Sequence, residues 1–256
     1  MFHKKNLLFF LFVSVVYSSI VQAQDTTQKI IAGRSNASEQ MQKPYLILIS
    51  ADGFRYDLAE KYNATFLKTI SAGGVKATSM KPCYPSLTFP NHYSIITGLY
   101  PSHHGIVDNS FYDKMRNQFY SIRNKKVVED PSWYGGTPLW VLAERQKLLS
   151  ASFYWVGSES HIDGVDPTYY YNYNEAISID RRIEILKNWL QLPEEKRPHF
   201  ITFYFPEVDH EEHRYGTNSQ QTEAAVHFID QSVKKMYEMC NGLNLPVNFV
   251  FVSDHG

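Results

Sequence analysis

Cysteine is scarce in this chain. Cys83 and Cys240, two residues in 256, are too few and too far apart to form a disulfide framework, and the sequence leaves open whether they are free. An excess of either charge is also missing. Lys and Arg total 25 against 26 Asp and Glu, a net charge of −1, so the basic footprint needed to hold a nucleic-acid polymer is absent. No segment repeats, and none is of low complexity. The one long apolar run, "NLLFFLFVSVVYSSI", is too short and wrongly flanked for a stable membrane span. It follows the basic His3, Lys4 and Lys5 and precedes Val21-Gln22-Ala23, a small-x-small cleavage pattern. Residues 1–23 therefore read as a signal peptide, and the protein as secreted or periplasmic. No Cys stands at the cleavage point, which argues against a lipoprotein.

What is present is an ordinary globular composition, 43% hydrophobic and 20% charged, with aromatics at 15%. A large core explains the aromatics most simply, and base stacking at a site is the sharper alternative. Residues 24–43 are polar and predict a flexible N-terminal segment. The length suits one α/β domain or two small ones.

Along residues 44–256, apolar strand-like runs alternate with helix-like periodicity. "PYLILISADG", "SASFYWVG", "RPHFITFYFPEVD" and "VNFVFVSDHG" read as strands buried on both faces, with a further short strand expected in "GGVKATSM". "TPLWVLAERQK", "NEAISIDRRIEILKNWLQL" and "NSQQTEAAVHFIDQSVKKMYEMC" read as helices. Another helix is expected between Thr88 and Gly98, with Pro90 early and Gly at its end. This alternation predicts an α/β fold with a mostly parallel sheet, which binds ligands beyond the carboxyl ends of its strands.

Three of the predicted strands run into carboxylates: Asp52, Asp209 and Asp254. One such Asp is usually a turn former or helix cap. Three on one edge, with His213 four residues after Asp209 and His255 next to Asp254, form a carboxylate–imidazole set suited to Zn²⁺ and related ions. His210, Glu211 and Glu212 in "DHEEH" compete as ligands. The donors exceed one tetrahedral site and suit a two-metal cluster of the kind that serves phosphoryl transfer. Thr88 is the candidate nucleophile. Its plain structural explanation is an N-cap, but a helix start also offers free N–H groups to a phosphate. Asn109 is a candidate neutral donor to a non-bridging oxygen.

"LILISADGFR", "YPSLTFPNHYSIITGLYPSHHGIVDNSFYD", "WYGGTPLWVLAE", "PEVDHEEHRYG" and "VFVSDHG" together resemble the nucleotide pyrophosphatase/phosphodiesterase family of the alkaline phosphatase superfamily, in the family's order and over roughly 44–256. The resemblance implies an alkaline-phosphatase-like, mostly parallel sheet sandwiched by helices, with the C-terminal part of the catalytic domain missing. It implies a two-zinc phosphodiesterase or nucleotide pyrophosphatase working through a phosphothreonine intermediate on Thr88. One zinc would lie at Asp52, Thr88, Asp254 and His255. The other would lie at Asp209, His213 and a histidine downstream of this chain. Phe89 and Tyr204 would bracket a nucleobase, and Asn109 would bind the phosphoryl group. A small-molecule diester or nucleotide is the expected substrate.

The chain departs from the pattern at His210-Glu211-Glu212, where small residues are common, and at Asp108. Competing expectations are a phosphomonoesterase or sulfatase of the same superfamily, or a metal-binding fragment without turnover. "CYPSL" resembles a sulfatase start, but Leu87 replaces its closing Arg. The nearest Arg to the motifs is Arg55, and no clear clamp for a monoester's extra charge is visible.

Overall fold

The computed structural model describes residues 25–256. The predicted signal segment 1–23 lies outside them. Among the described residues no helix is long and apolar enough to cross a membrane.

The described residues form eight strands: β1 (Lys29–Ile30), β2 (Tyr45–Ala51), β3 (Ser110–Asp113), β4 (Gln118–Ser121), β5 (Ser150–Phe153), β6 (Tyr169–Tyr171), β7 (Phe200–Phe205) and β8 (Val247–Val252). Six of them form one sheet in the order β1-β6-β5-β7-β2-β8. All its pairings are parallel except that of edge strand β1 with β6. β3 and β4 make a separate antiparallel hairpin.

The apolar runs predict this sheet because each inner strand must bury both faces. On β2, Ile47 and Ile49 pack into one core with the Ile179–Leu190 and Gln220–Gly242 helices. Leu48 packs into the opposite core with Tyr93, Ile96 and Trp140, from the Thr88–Thr97 and Leu139–Arg145 helices. The period of two along the strand thus sends alternate residues to two helical layers.

Three expectations change. Residues 73–80 form no strand, and Val75 and Met80 lie exposed there. Two glycines followed by Lys, Thr and Ser leave no continuous apolar face to bury. Asp209 is not at a strand end, because β7 stops at Phe205 and Asp209 falls in the Glu207–Tyr215 helix. Residues 25–43, polar enough to predict a loose segment, are anchored. β1 pairs with β6, and the buried Asn36 amide donates to the carbonyls of Glu194 and Arg197 and accepts from Leu149 N–H.

Candidate metal centre

The strand order brings the candidate carboxylates together. β2 lies between β7 and β8, so Asp52, the Asp209 helix and Asp254 leave three adjacent strands at one edge. Gly53 makes the approach possible. Its φ of +68° suits glycine, and a Cβ there would lie 3.0 Å from the Asp209 Cα. The Asp209 N–H donates to the Asp52 carbonyl at 3.2 Å, and Gly53 N–H donates to Asp254 Oδ1 at 3.3 Å.

Asp52 and Asp254 are each 1% exposed. Asp52 Oδ2 accepts the Tyr204 hydroxyl at 2.6 Å. Asp52 Oδ1 and Asp254 Oδ2 are buried without any hydrogen-bond donor. His255 Nε2 lies 3.3 Å from the first and 3.2 Å from the second. Burial and the neighbouring Asp254 charge push the Asp52 carboxyl well above its usual range. Burial would raise Asp254 too, but His92 beside it holds it down to about 2. Two buried carboxylate oxygens left bare beside one imidazole nitrogen fit a divalent cation, which would supply the missing partner to all three.

Asp52, Asp209 and His255 offer ligand atoms within 4.8 Å of one another. His213, one helical turn after Asp209, places Nε2 3.3 Å from Asp209 Oδ1, with its side chain 78% exposed. A second group this close, Asp52, His92 and Asp254, overlaps the first at Asp52 and brings in a histidine outside the sequence-predicted set. Of the predicted donors' competitors, His210 lines the adjoining cavity, while Glu211 and Glu212 do not.

That cavity is about 570 Å³ and is also lined by Asp52, Thr88, Phe89, Asn109, Tyr204, Asp209 and His213. Thr88 is the first residue of its helix, with Leu87 at the cap position and no side-chain cap, so the capping explanation fails. Asn109 Oδ1 accepts Phe89 N–H at 3.0 Å, which fixes the amide orientation and leaves the NH₂ end without a protein acceptor. Arg55 is held by Asp57, at 2.5 Å from Nε to Oδ1.

Sequence reasoning missed several residues. His92 is fully buried, and its Nδ1 lies 3.2 Å from Asp254 Oδ2. The signal for it was its position one turn after Thr88. Tyr173, half-exposed, lines the cavity with its ring centroid 6.1 Å from that of Tyr204. Arg123, Lys125 and Glu159 also line it.

A mostly parallel α/β sheet with carboxylate and histidine groups that could hold a metal at its carboxyl edge, next to a helix-borne hydroxyl, is an arrangement found in metal-dependent hydrolases. Residues 46–256 match the family described as type I phosphodiesterase / nucleotide pyrophosphatase, and the chain belongs to that family. It is 40% identical over 217 residues to human ectonucleotide pyrophosphatase/phosphodiesterase family member 1, covering 83% of this chain and 23% of that protein. It is 36% identical over 249 residues to venom phosphodiesterase 2 of Crotalus adamanteus, covering 94% of this chain and 30% of that protein. The solved murine ectonucleotide pyrophosphatase / phosphodiesterase 5 superposes with a TM-score of 0.78 at 29% identity, covering 83% of this chain and 57% of that one. Another structure of it, with 28% identity, is an inactive threonine-to-alanine variant in complex with AMP. The chain thus spans about a quarter of the length of the curated relatives it matches.

Proposed function

We propose that the protein is a secreted or periplasmic two-zinc phosphodiesterase or nucleotide pyrophosphatase, with residues 44–256 in its catalytic domain and Thr88 as nucleophile. One observation carries this reading. Asp52 Oδ1 and Asp254 Oδ2 are buried without a hydrogen-bond donor, and Asp52 lines the same cavity as Thr88. Family membership supports it, as do relatives whose names carry "ectonucleotide" and "venom phosphodiesterase".

Asp52, Thr88, Asp254 and His255 would hold one Zn²⁺, and Asp209 and His213 would contribute to the second. When bound, the ions would lower the pKa of the Thr88 hydroxyl and offset the charge on the phosphoryl and leaving oxygens. Thr88 Oγ1 then forms a bond to phosphorus as the bond to the leaving oxygen breaks, giving a phosphothreonine. Water hydrolyses that ester and restores Thr88. The Asn109 NH₂, turned away from Phe89 N–H by its own anchor, donates to a non-bridging oxygen.

The start of the Thr88–Thr97 helix adds its dipole at the same place. Phe89 and Tyr204 line the cavity, with Tyr173 beside them, and offer rings for a nucleobase. Arg55 is engaged by Asp57 and so is not free to neutralise a monoester's second charge, whereas Arg123 and Lys125 line the cavity, so the test below includes a monoester.

The test compares hydrolysis of a chromogenic phosphodiester, the matched phosphomonoester and an aryl sulfate, with Zn²⁺ added, by wild type and Thr88→Ala. Preferential diester cleavage that Thr88→Ala abolishes is expected. A faster monoester or sulfate, or an undiminished Thr88→Ala rate, would overturn the reading.

A further inference from the structure

The His92 side chain touches three separate parts of the site. It is fully buried and sits one helical turn after Thr88. Its Nδ1 is 2.9 Å from the Thr88 carbonyl oxygen and 3.2 Å from Asp254 Oδ2. Its Nε2 is 2.8 Å from Ser50 Oγ, on the strand that delivers Asp52 two residues later. Its own backbone carbonyl accepts Trp155 Nε1–H at 3.0 Å, which locks that turn against the cavity wall. A carbonyl can only accept, so the contact with Thr88 requires a proton on Nδ1. The ring orientation follows from this. Nδ1–H faces both the Thr88 backbone and the edge of Asp254, and Nε2 faces the Ser50 hydroxyl.

We propose that His92 is a positioning residue. Its Nδ1–H sets the height of Thr88 relative to the Asp52 and Asp254 carboxylates, and its Nε2 contact with Ser50 fixes the ring that carries that proton. The proposal rests on the assignment of Thr88, Asp52 and Asp254 made above. Supporting groups of this kind orient the residues that do the chemistry, and their loss typically costs about 10- to 100-fold in metal affinity or activity. Misplacing a nucleophile by a fraction of an ångström lowers the rate constant without weakening substrate binding. The expected signature is therefore a fall in kcat with KM little changed.

The test uses His92→Asn, His92→Gln and His92→Leu. The Asn amide nitrogen reaches the place of Nδ1, whereas that of Gln reaches the place of Nε2. For each variant, kcat and KM are measured on a chromogenic diester, Zn²⁺ affinity is measured by competition with a chromophoric chelator, and the melting temperature is recorded. Nitrogen-15 NMR of the metal-free wild type reads which ring nitrogen is protonated.

The expected result is a protonated Nδ1 in wild type. His92→Gln and His92→Leu should lose kcat by about 10- to 100-fold and Zn²⁺ affinity by about 10-fold, at a KM within about twofold of wild type. His92→Asn should recover most of both. A bare Nδ1 overturns the proposal, as does Asn faring no better than Gln, or wild-type kcat and Zn²⁺ affinity in His92→Leu. If His92→Leu does not fold, the comparison of Asn with Gln decides. If wild type cleaves no diester, the function proposed above fails, while Zn²⁺ affinity and the protonated nitrogen still decide the role of His92.

Discussion

Asp52 and Asp254 face each other across the ends of adjacent strands, each with one buried carboxylate oxygen that no protein group satisfies. Like charges brought together out of water repel, and since His92 stabilises the Asp254 charge, it is Asp52 that works against folding without a cation. Asp52→Asn should therefore have effects of opposite sign in two conditions. In chelator it should raise stability, by about 1–3 kcal/mol, because Asn removes the repulsion and keeps an oxygen for the Tyr204 hydroxyl. With Zn²⁺ present it should be less stable than wild type, because a ligand is gone. Thermal melts of both proteins in both conditions check this. A loss of stability in chelator would contradict the picture of a bare carboxylate pair.

Asn109 separates a structural role from a chemical one within a single side chain. Asn109→Asp keeps the oxygen that accepts Phe89 N–H, so its melting temperature should stay close to wild type. It loses the NH₂ donor, and its kcat on a diester should fall by about 100-fold or more. Asn109→Ala should lose both activity and some stability. Steady-state kinetics and melts of the two variants make the comparison.

Gly53 should tolerate no side chain. Its φ of +68° and the 3.0 Å approach of a Cβ to the Asp209 backbone predict strain in Gly53→Ala. A loss of about 1–3 kcal/mol is expected from the left-handed conformation and the forced shift. Because the shift falls on Asp209, Zn²⁺ affinity should drop together with the denaturation midpoint. A stable Gly53→Ala with unchanged Zn²⁺ affinity would contradict this.

His104 predicts part of the acid sensitivity. Burial pushes it down to about 4. Its Nδ1 accepts Ile106 N–H at 3.2 Å, and its Nε2 is 2.9 Å from Ser94 Oγ, an arrangement for the neutral ring. The unfolded chain takes up the proton near pH 6.5, whereas the folded one resists until about 4. Stability should therefore fall as pH drops through that interval, by at most about 1.4 kcal/mol per pH unit from this group. His104→Asn keeps an acceptor for Ile106 and should flatten the slope in denaturant titrations between pH 7 and 4. His199, also pushed down by burial, should keep a residual slope.

Much of the sheet is legible in the sequence because buried strands and amphipathic helices carry different periods. "PYLILISADG" predicts both β2 and the exit of Asp52, since a continuous apolar run has to end where the chain meets a polar edge. The site is legible where donors lie close in sequence, as with Asp254-His255 and with Asp209 and His213 one turn apart. It is not legible where partners meet only through the fold. His92 contacts Ser50, 42 positions away, and nothing in "TFPNHY" announces that contact. Tyr204 shows the same limit. Resemblance gives it a place beside a base, and the structure adds that its hydroxyl is committed to Asp52. The short β6 and the β3–β4 hairpin escape because three or four residues carry too little pattern to distinguish a strand from a loop.

The central claim is that Thr88 carries the phosphoryl group between two displacements. The most direct test is the stereochemistry at phosphorus, using a diester made chiral by sulfur and oxygen-isotope substitution and hydrolysed in isotopically labelled water. Two in-line displacements, first by Thr88 and then by water, predict net retention. Net inversion would mean a single attack by water and would contradict a phosphothreonine at Thr88.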